Sequence, residues 1–115
     1  MKRGDVYWAE LARRSGSEQS GRRPVIVVSH DGFNRVPAWR SVIVVPLSTS
    51  ARQAARGPTA IRVPRGAAGL TRECVALGHQ ITTLDRSKLT RRVGTLPAAL
   101  LAAVETGLRA ALDLG

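Results

Sequence analysis

The chain has 115 residues, of which 43% are hydrophobic and 23% are charged, and this composition is that of a soluble globular domain. Basic residues outnumber acidic ones by 18 to 8, and the resulting net charge of +10 favours a polyanionic partner, with nucleic acid first. The single cysteine excludes an internal disulfide, and no apolar run reaches the ~20 residues of a membrane span. We therefore expect one domain over residues 1–115, located in the cytoplasm and without membrane contact.

The N-terminal part of the chain predicts a strand, a loop, and an arginine at the start of a second strand. Residues 5–11 alternate apolar and polar side chains, with Trp8 among the apolar ones, and residues 12–22 are polar and rich in Gly, Ser and Arg. Arg23 directly precedes Pro24, which biases the arginine backbone toward the extended region. Its guanidinium is therefore expected to project from a fixed position at the start of the strand. This arrangement favours a phosphate ligand at Arg23.

Two β-branched runs, residues 24–29 and 41–47, predict the central strands of one sheet because they are apolar on both faces. Pro46 cannot donate a ladder hydrogen bond, so we expect the second of these strands to be broken, or exposed at one edge, at that position. Residues 59–63 predict a further strand that lies at an edge of the sheet.

The C-terminal half predicts shorter strands and one long helix. Residues 69–77 and 80–84 predict a strand pair, or one strand bent at Gly78. A helix is predicted to begin near Pro97 and to run to about Asp113, because leucine and valine recur there at helical spacing. The chain is therefore expected to be mainly β, with a C-terminal α-helix packed on the sheet.

Five blocks of sequence occur in an ordered series, namely KRGDVYWAEL, GSEQ-x-G-x-RP, VIVVS-x-D with Asn34, VVPLS and HQITTLD. Together with the closing helix they resemble the MazF/PemK family of toxin ribonucleases, and the match runs from Lys2 to Leu114. The resemblance implies a small antiparallel SH3-like β-barrel of the MazF/CcdB toxin type, with a C-terminal α-helix. It also implies that the chain works as a homodimer.

The resemblance further implies an activity and its partners. It predicts the toxin of a type II toxin–antitoxin system, which cleaves single-stranded RNA at a short sequence without a metal and leaves a 2′,3′-cyclic phosphate and a 5′-hydroxyl. The expected partners are single-stranded RNA, a second copy of the chain and a cognate MazE-like antitoxin. We expect no metal or other cofactor, because the sequence has no Cys, His and Asp cluster at metal-ligand spacing and no Gly-rich nucleotide loop.

Two residues carry the catalytic prediction. By the resemblance, Arg23 matches the catalytic arginine of the family, and Ser48 matches a position where a threonine is expected, with Thr49 beside it as an alternative hydroxyl. Arg23 is expected chiefly to stabilise charge on the phosphate, because a guanidinium stays protonated in proteins. The general base is left open between Glu18 in the loop and His79, which stands where many members have an acid. For each of these two residues a purely structural role is the competing interpretation.

Further polar and basic residues are expected to contact RNA. Amides and hydroxyls can recognise base edges, and arginines can follow the phosphate backbone. The predicted RNA contacts are Gln19, Arg22, Asn34, Arg52, Arg56, Gln80 and Thr82. Cys74 lies in an apolar stretch with no neighbouring histidine, so we expect it in the core and not as a nucleophile.

Two functions from other classes compete with RNA cleavage. A non-enzymatic gyrase poison, similar to CcdB, would act through apolar and aromatic residues at its extreme C-terminus. This chain ends in the residues LDLG, with no aromatic side chain among them. The second alternative is a basic barrel that binds RNA and blocks translation without cutting it.

Overall fold

The computed structural model describes residues 1–11 and 21–115, with the side chains of Ala51 and Arg56 outside the description. Within these residues the chain forms seven strands, two α-helices and four 3-10 segments. The strands are β1 (Asp5–Leu11), β2 (Gly21–Val27), β3 (Ser41–Ser48), β4 (Ala60–Val63), β5 (Cys74–Leu77), β6 (Thr82–Asp85) and β7 (Leu89–Thr95). The α-helices are α1 (Asp31–Asn34) and α2 (Ala98–Leu112), and the 3-10 segments are Ala51–Thr59, Ala67–Gly69, Gly78–Gln80 and Arg86–Lys88.

The strand pairs of the described residues are antiparallel, in the order β4-β5-β3-β2-β1-β7, with β6 also paired to β3. On its side away from β2, β3 changes partner along its length, since residues 41–44 pair with β6 and residues 47–48 pair with β5. Pro46 lies between these two ladders, where a residue without an N–H costs no hydrogen bond on that edge. The expected interruption at Pro46 therefore affects only the pairing on that edge, which changes there from β6 to β5. Strand β3 itself continues through the proline.

The antiparallel, mainly β class with a C-terminal helix is confirmed, but the sheet does not close into a complete barrel. Among the described residues no strand pair joins β4 to β7, the two ends of the strand order. The 3-10 turn Ala67–Gly69 packs against β7 instead. A Cβ on Gly94 would lie 2.3 Å from the Ala68 carbonyl oxygen, and one on Gly69 would lie 2.5 Å from the Val93 carbonyl oxygen. Two glycines thus let the backbone of a turn cover the gap that a closing strand would fill.

The same turn explains why residues 69–77 are not the continuous strand that the sequence predicted. Ala68 has a φ of 53° and Gly69 a φ of 76°, and this left-handed backbone is incompatible with an extended strand. The strand therefore cannot include Gly69, and in the structure it starts at Cys74. Gly78, expected to bend a strand, begins the turn Gly78–Gln80 that separates β5 from β6.

Hydrophobic side chains fill two cores on the two faces of the sheet. Successive residues of a strand point to opposite faces, and β2 shows this directly. Ile26 packs in the larger core, to which α2 contributes Val104, whereas its neighbours Val25 and Val27 pack in the second core. All three β2 residues are fully buried. This confirms that the run apolar on both faces is a central strand.

Helix α2 follows Pro97, as the sequence predicted, and lies against the turn Gly78–Gln80 at backbone distance. A Cβ on Gly78 would lie 2.9 Å from the Thr59 carbonyl oxygen and 3.4 Å from the backbone of Gly107. The Thr59 carbonyl oxygen leaves no room for a side chain on Gly78, whereas the distance to Gly107 is an ordinary van der Waals contact, so Gly78 allows the turn to approach Thr59 with α2 packed beside it. In the described ranges no helix is long and apolar enough to cross a membrane.

Candidate active site

A groove of about 640 Å³ opens at the end of the sheet where β2 begins and β3 ends. Its walls come from β1, from the segment that follows β3, from residues 69–74 and from β7. The basic residues that line the groove are Arg22, Arg23, Arg72 and Arg91, and the neutral polar ones are Ser48, Thr49, Ser50, Gln53 and Thr71. No Asp or Glu of the described residues lines it. The groove is therefore suited to an anion.

Arg23 and Ser48 meet at this groove because of the register between β2 and β3. The paired residues Ile26 with Val45 and Val25 with Pro46 fix an antiparallel register. If the same register is followed two residues further toward the groove, Arg23 on β2 lies directly opposite, or level with, Ser48 on β3. Side chains of residues that lie opposite each other on antiparallel strands point to the same face of the sheet. Both residues line the groove. The structure thus brings together the two residues that the resemblance marked as catalytic.

The Ser48 hydroxyl is held in place by a hydrogen bond from the backbone two residues further along the chain. Ser48 is 5% exposed, and its Oγ accepts a hydrogen bond of 3.1 Å from the backbone N–H of Ser50. A hydroxyl that accepts in this way keeps its own proton as a donor. Thr49 is exposed and also lines the groove, but β3 ends at Ser48, so Thr49 stands outside the strand register that aligns Ser48 with Arg23.

Arg22 lies over an aromatic ring at the edge of the groove. Its guanidinium carbon is 4.8 Å from the centroid of the Trp8 ring, which is a cation–π distance. The two residues stand on neighbouring strands, where Trp8 pairs with Pro24 and Arg22 pairs with Glu10. Trp8 is half-buried and Arg22 is exposed. The guanidinium is therefore held over the ring on the solvent side.

Several groove residues were missed by the sequence reasoning. Alternation along β1 placed Trp8 among the core-facing side chains, and Arg72, Arg91 and Gln53 stood in stretches with no motif. Arg72 and Arg91 come from segments far apart in sequence that meet only because the turn before residue 70 packs on β7. No sequence signal marked Trp8, because its place next to Ala9, the strand partner of Arg23, follows from the register of β1 and β2.

Cys74 lines the groove from the core side. It is 3% exposed, and its Sγ donates to the Arg72 carbonyl oxygen at 3.5 Å. Burial raises the pKa of the Cys74 thiol, with the neighbouring Arg72 lowering it and Glu73 raising it to smaller extents. A protonated, buried thiol is a poor nucleophile. The position of Cys74 agrees with its predicted role in the core.

The structure places other predicted site residues away from the groove. His79 lies in the turn Gly78–Gln80, with its Nδ1 3.4 Å from Thr59 Oγ1, and neither it nor Gln80 or Thr82 lines the groove. Arg52 is exposed on the 3-10 segment after β3 and does not line the groove either. The predicted contacts Glu18 and Gln19, and the side chain of Arg56, lie outside the described residues.

Asn34 is buried in a hydrogen-bond network at α1 and also lies outside the groove. It is 3% exposed, its Nδ2 donates to the Ser29 carbonyl oxygen and to Asp31 Oδ1, and its Oδ1 accepts from Ser29 Oγ. Asp31 also accepts from the backbone N–H of Arg3, and this bond and that from Asn34 keep the pKa of Asp31 below its usual value. The Asn34 amide therefore ties α1 to the sheet. Its predicted contact with RNA stays a prediction that this geometry does not favour.

The described part of the chain holds no group of three or more His, Cys, Asp or Glu side chains that could bind a metal ion. The chemistry that the described residues offer at the groove is that of guanidinium groups and hydroxyls, with no carboxylate among them. Such a set can bind a phosphodiester and stabilise added negative charge on it.

Comparison with known proteins places the chain in one family. A family model described as "PemK-like, MazF-like toxin of type II toxin-antitoxin system" matches residues 2–112. Endoribonuclease MazF6 of Mycobacterium tuberculosis is 36% identical over 114 residues, which cover 99% of this chain and 98% of the relative. The crystal structure of MazF from Deinococcus radiodurans superposes with a TM-score of 0.80 at 27% identity, covering 99% of this chain and 97% of that one.

A second solved structure is that of a protein bound to an antitoxin. An endoribonuclease from a mycobacterial species, in complex with its cognate antitoxin, matches with a TM-score of 0.74 at 27% identity, covering 100% of this chain and 95% of that one. The family match over nearly the whole chain and the full-length relative agree with each other and with the fold. The chain belongs to the PemK-like, MazF-like toxins of type II toxin–antitoxin systems.

Proposed function

We propose that this chain is a toxin endoribonuclease that binds single-stranded RNA in the groove and cleaves it beside Arg23 and Ser48. One observation carries the proposal, which is that the register of β2 and β3 brings these two residues level at a groove that no Asp or Glu of residues 1–11 and 21–115 lines. The full-length relative named an endoribonuclease, at 36% identity, supports the activity. The four arginines among the described residues that line the groove support a phosphodiester substrate.

The proposed reaction is a transesterification within the RNA. The 2′-oxygen attacks the adjacent phosphorus, the bond from phosphorus to the 5′-oxygen breaks, and the products end in a 2′,3′-cyclic phosphate and a 5′-hydroxyl. The 2′-hydroxyl gives its proton to a base, and the leaving 5′-oxygen gains one. The phosphorane formed on the way carries an extra negative charge on its non-bridging oxygens. Donors that are already in position can stabilise this charge without reorganisation.

Arg23 and Ser48 divide the work on the phosphate. The Arg23 guanidinium is exposed at the groove and donates to the non-bridging oxygens. The Ser48 hydroxyl, which accepts from the Ser50 N–H, turns its own proton toward the same phosphate. The general base stays a prediction between Glu18, which lies outside the described residues, and His79, which does not line the groove.

The partners beyond RNA belong to the same proposal. A solved relative is bound to its cognate antitoxin, and we assign this chain a MazE-like antitoxin as its partner. An acidic segment of that antitoxin would compete with RNA for the groove, since both are anions. The homodimer and the single domain over residues 1–115 also stay predictions, and light scattering of the purified chain tests the first of them.

The proposal is tested by incubating the purified chain with defined single-stranded RNAs in EDTA and mapping the ends of the fragments. We expect discrete cuts with 5′-hydroxyl ends, and a loss of about 100- to 1,000-fold in rate for Arg23→Ala. Arg109→Ala is the matched control, because it removes the same charge from an exposed position on α2, away from the groove. RNA that stays intact across several unrelated sequences would contradict the enzyme. Binding without cutting would instead support the non-cleaving barrel.

A further inference from the structure

The groove contains one aromatic side chain among its described residues. The chain has two Trp, one Tyr and one Phe. Phe33 and Trp39 stack on each other with ring centroids 4.8 Å apart, beside α1, and Tyr7 packs against the second core. Trp8 is the one that lines the groove. An aromatic ring at a nucleic-acid groove is the type of surface on which bases stack.

Trp8 does not meet the groove alone, because the guanidinium of Arg22 covers its ring at 4.8 Å. A guanidinium is planar, and its two faces can stack on two π-systems at once. Both side chains line the groove, and because Trp8 is half-buried while Arg22 is exposed, Arg22 is the more accessible layer of the pair. A cation between an aromatic ring and a base interacts favourably with both.

Arg22 and Arg23 are consecutive residues of β2, and both line the groove. Their Cα atoms are therefore ~3.8 Å apart, which is shorter than one nucleotide. A phosphate held by Arg23 leaves a base of the same or the adjoining nucleotide within reach of Arg22. Successive strand residues point to opposite faces, so the two side chains leave β2 on different sides, and both line the groove because it lies at the end of the sheet where β2 begins. One side chain can therefore hold a phosphate, Arg23, while the other holds a base, Arg22.

We infer that Trp8 and Arg22 form a nucleobase-stacking subsite, in which one base of single-stranded RNA stacks on the Arg22 guanidinium with Trp8 behind it. The inference rests on the proposed function and names the part of the groove that holds a base. Every base has a π-face, so the subsite contributes affinity and alignment and does not choose the cleavage sequence.

Fluorescence of Trp8 tests the subsite directly. In a Trp39→Phe background Trp8 is the only tryptophan, and Trp39 stacks on Phe33 away from the groove. The probes are a short oligodeoxythymidylate, which lacks the 2′-hydroxyl and cannot be cut, and an abasic oligomer of the same length. We expect the base-containing probe to quench Trp8 and to bind about tenfold more tightly than the abasic one.

Substitutions separate stacking from charge, with binding followed by the anisotropy of labelled probes. Arg22→Lys keeps the positive charge but lacks the planar guanidinium on which a base can stack. The base-containing and abasic probes should therefore bind this variant about equally. Trp8→Leu should raise KM for RNA about tenfold with little change in kcat, and Trp8→Phe should recover most of the loss. Circular dichroism shows whether each variant folds. If Trp8→Leu does not fold, the test rests on the ratio of the affinities for the base-containing and abasic probes, measured for Arg22→Lys and for the unsubstituted chain.

The inference and the proposed function fail in different ways. Equal binding of the base-containing and abasic probes by the unsubstituted chain would overturn the stacking subsite. If that chain still cuts RNA, the proposed function stands without it. A chain that neither binds the probes nor cuts RNA would overturn both.

Discussion

Ser48 lies level with Arg23, two residues beyond the last pair that joins β3 to β2. Val25 to Val27 on β2 and Val44 to Leu47 on β3 are buried and apolar, and the ladder ends just before the polar residues Arg23 and Ser48. The ends of two rigid strands therefore set the distance between a guanidinium and a hydroxyl, and no flexible loop has to do so. Substitutions at Ser48 should accordingly affect the rate of cleavage more than the fold.

The first prediction compares the two hydroxyls that end β3. Ser48→Ala should lower the single-turnover rate of RNA cleavage by about 100-fold, because a positioned donor to the phosphate is lost. Thr49→Ala should lower it by less than about tenfold, since Thr49 stands beyond the strand register. Ser48→Thr keeps the hydroxyl and should retain most of the activity. Equal or reversed losses for the two alanine variants would contradict the assignment of Ser48.

The second prediction concerns Arg86, which binds the end of α1 and the loop that follows it. Its guanidinium donates to the carbonyl oxygens of Phe33, Asn34, Val36 and Trp39. Lysine cannot reproduce this planar set of donors, so Arg86→Lys should lower the free energy of unfolding by about 2 kcal/mol in urea titrations.

The control for Arg86 is an arginine with a single exposed partner. Arg62 is paired with Glu73 at 2.9 Å, with both side chains more than half exposed. Arg62→Lys should change the free energy of unfolding by less than about 0.5 kcal/mol. A similar small change in Arg86→Lys would show that the four carbonyl contacts do not contribute to stability.

Much of this fold follows from sequence, and the parts that do not are those set by contacts between distant residues. Val25 to Val27 are apolar on both faces and could only form a central strand, and Pro97 marks the start of α2. The turn at Ala68, by contrast, has left-handed backbone at an alanine, which no local signal predicts. It is tolerated because Gly94 on β7 leaves room for it.

The site shows the same division. Arg23 and Ser48 could be identified because each stands at the end of a predictable strand and matches a block of the family. Asn34 stands in such a block too, but the structure places it in a buried network with Ser29. A polar residue in a matched block can serve the substrate or the fold, and sequence alone does not tell these apart. The partnership of Trp8 with Arg22 depends on strand register, which a sequence pattern leaves open.

The third prediction tests how the wall of the groove is held. In Gly94→Ala the new Cβ would lie 2.3 Å from the Ala68 carbonyl oxygen, so the turn Ala67–Gly69 has to move away from β7. We expect the free energy of unfolding to fall by about 1–3 kcal/mol and KM for RNA to rise, because Gly69 and Val93 line the groove.

A glycine with open space around it provides the comparison. A Cβ on Gly115 meets nothing within 4 Å, and Gly115→Ala should change neither the stability nor KM. If Gly94→Ala likewise changes neither the free energy of unfolding in urea nor KM in cleavage assays, the contact between the turn and β7 does not shape the groove.

The last prediction concerns acid stability and the buried carboxylate of Asp5. Burial by itself would raise the pKa of Asp5, but hydrogen bonds from the Lys2 N–H and the Thr95 hydroxyl, together with Arg92, outweigh it and bring the pKa below its ordinary value. The folded chain therefore binds the Asp5 proton less tightly than the unfolded chain does. The stability that Asp5 contributes is complete above the unfolded pKa of ~3.9 and is lost as the pH falls below it toward the folded pKa. Urea unfolding should show a smaller free energy at pH ~3 than at pH ~6, with a smaller drop in Asp5→Asn. An Asp5 carboxyl carbon that titrates in NMR at or above the ordinary pKa would contradict this explanation.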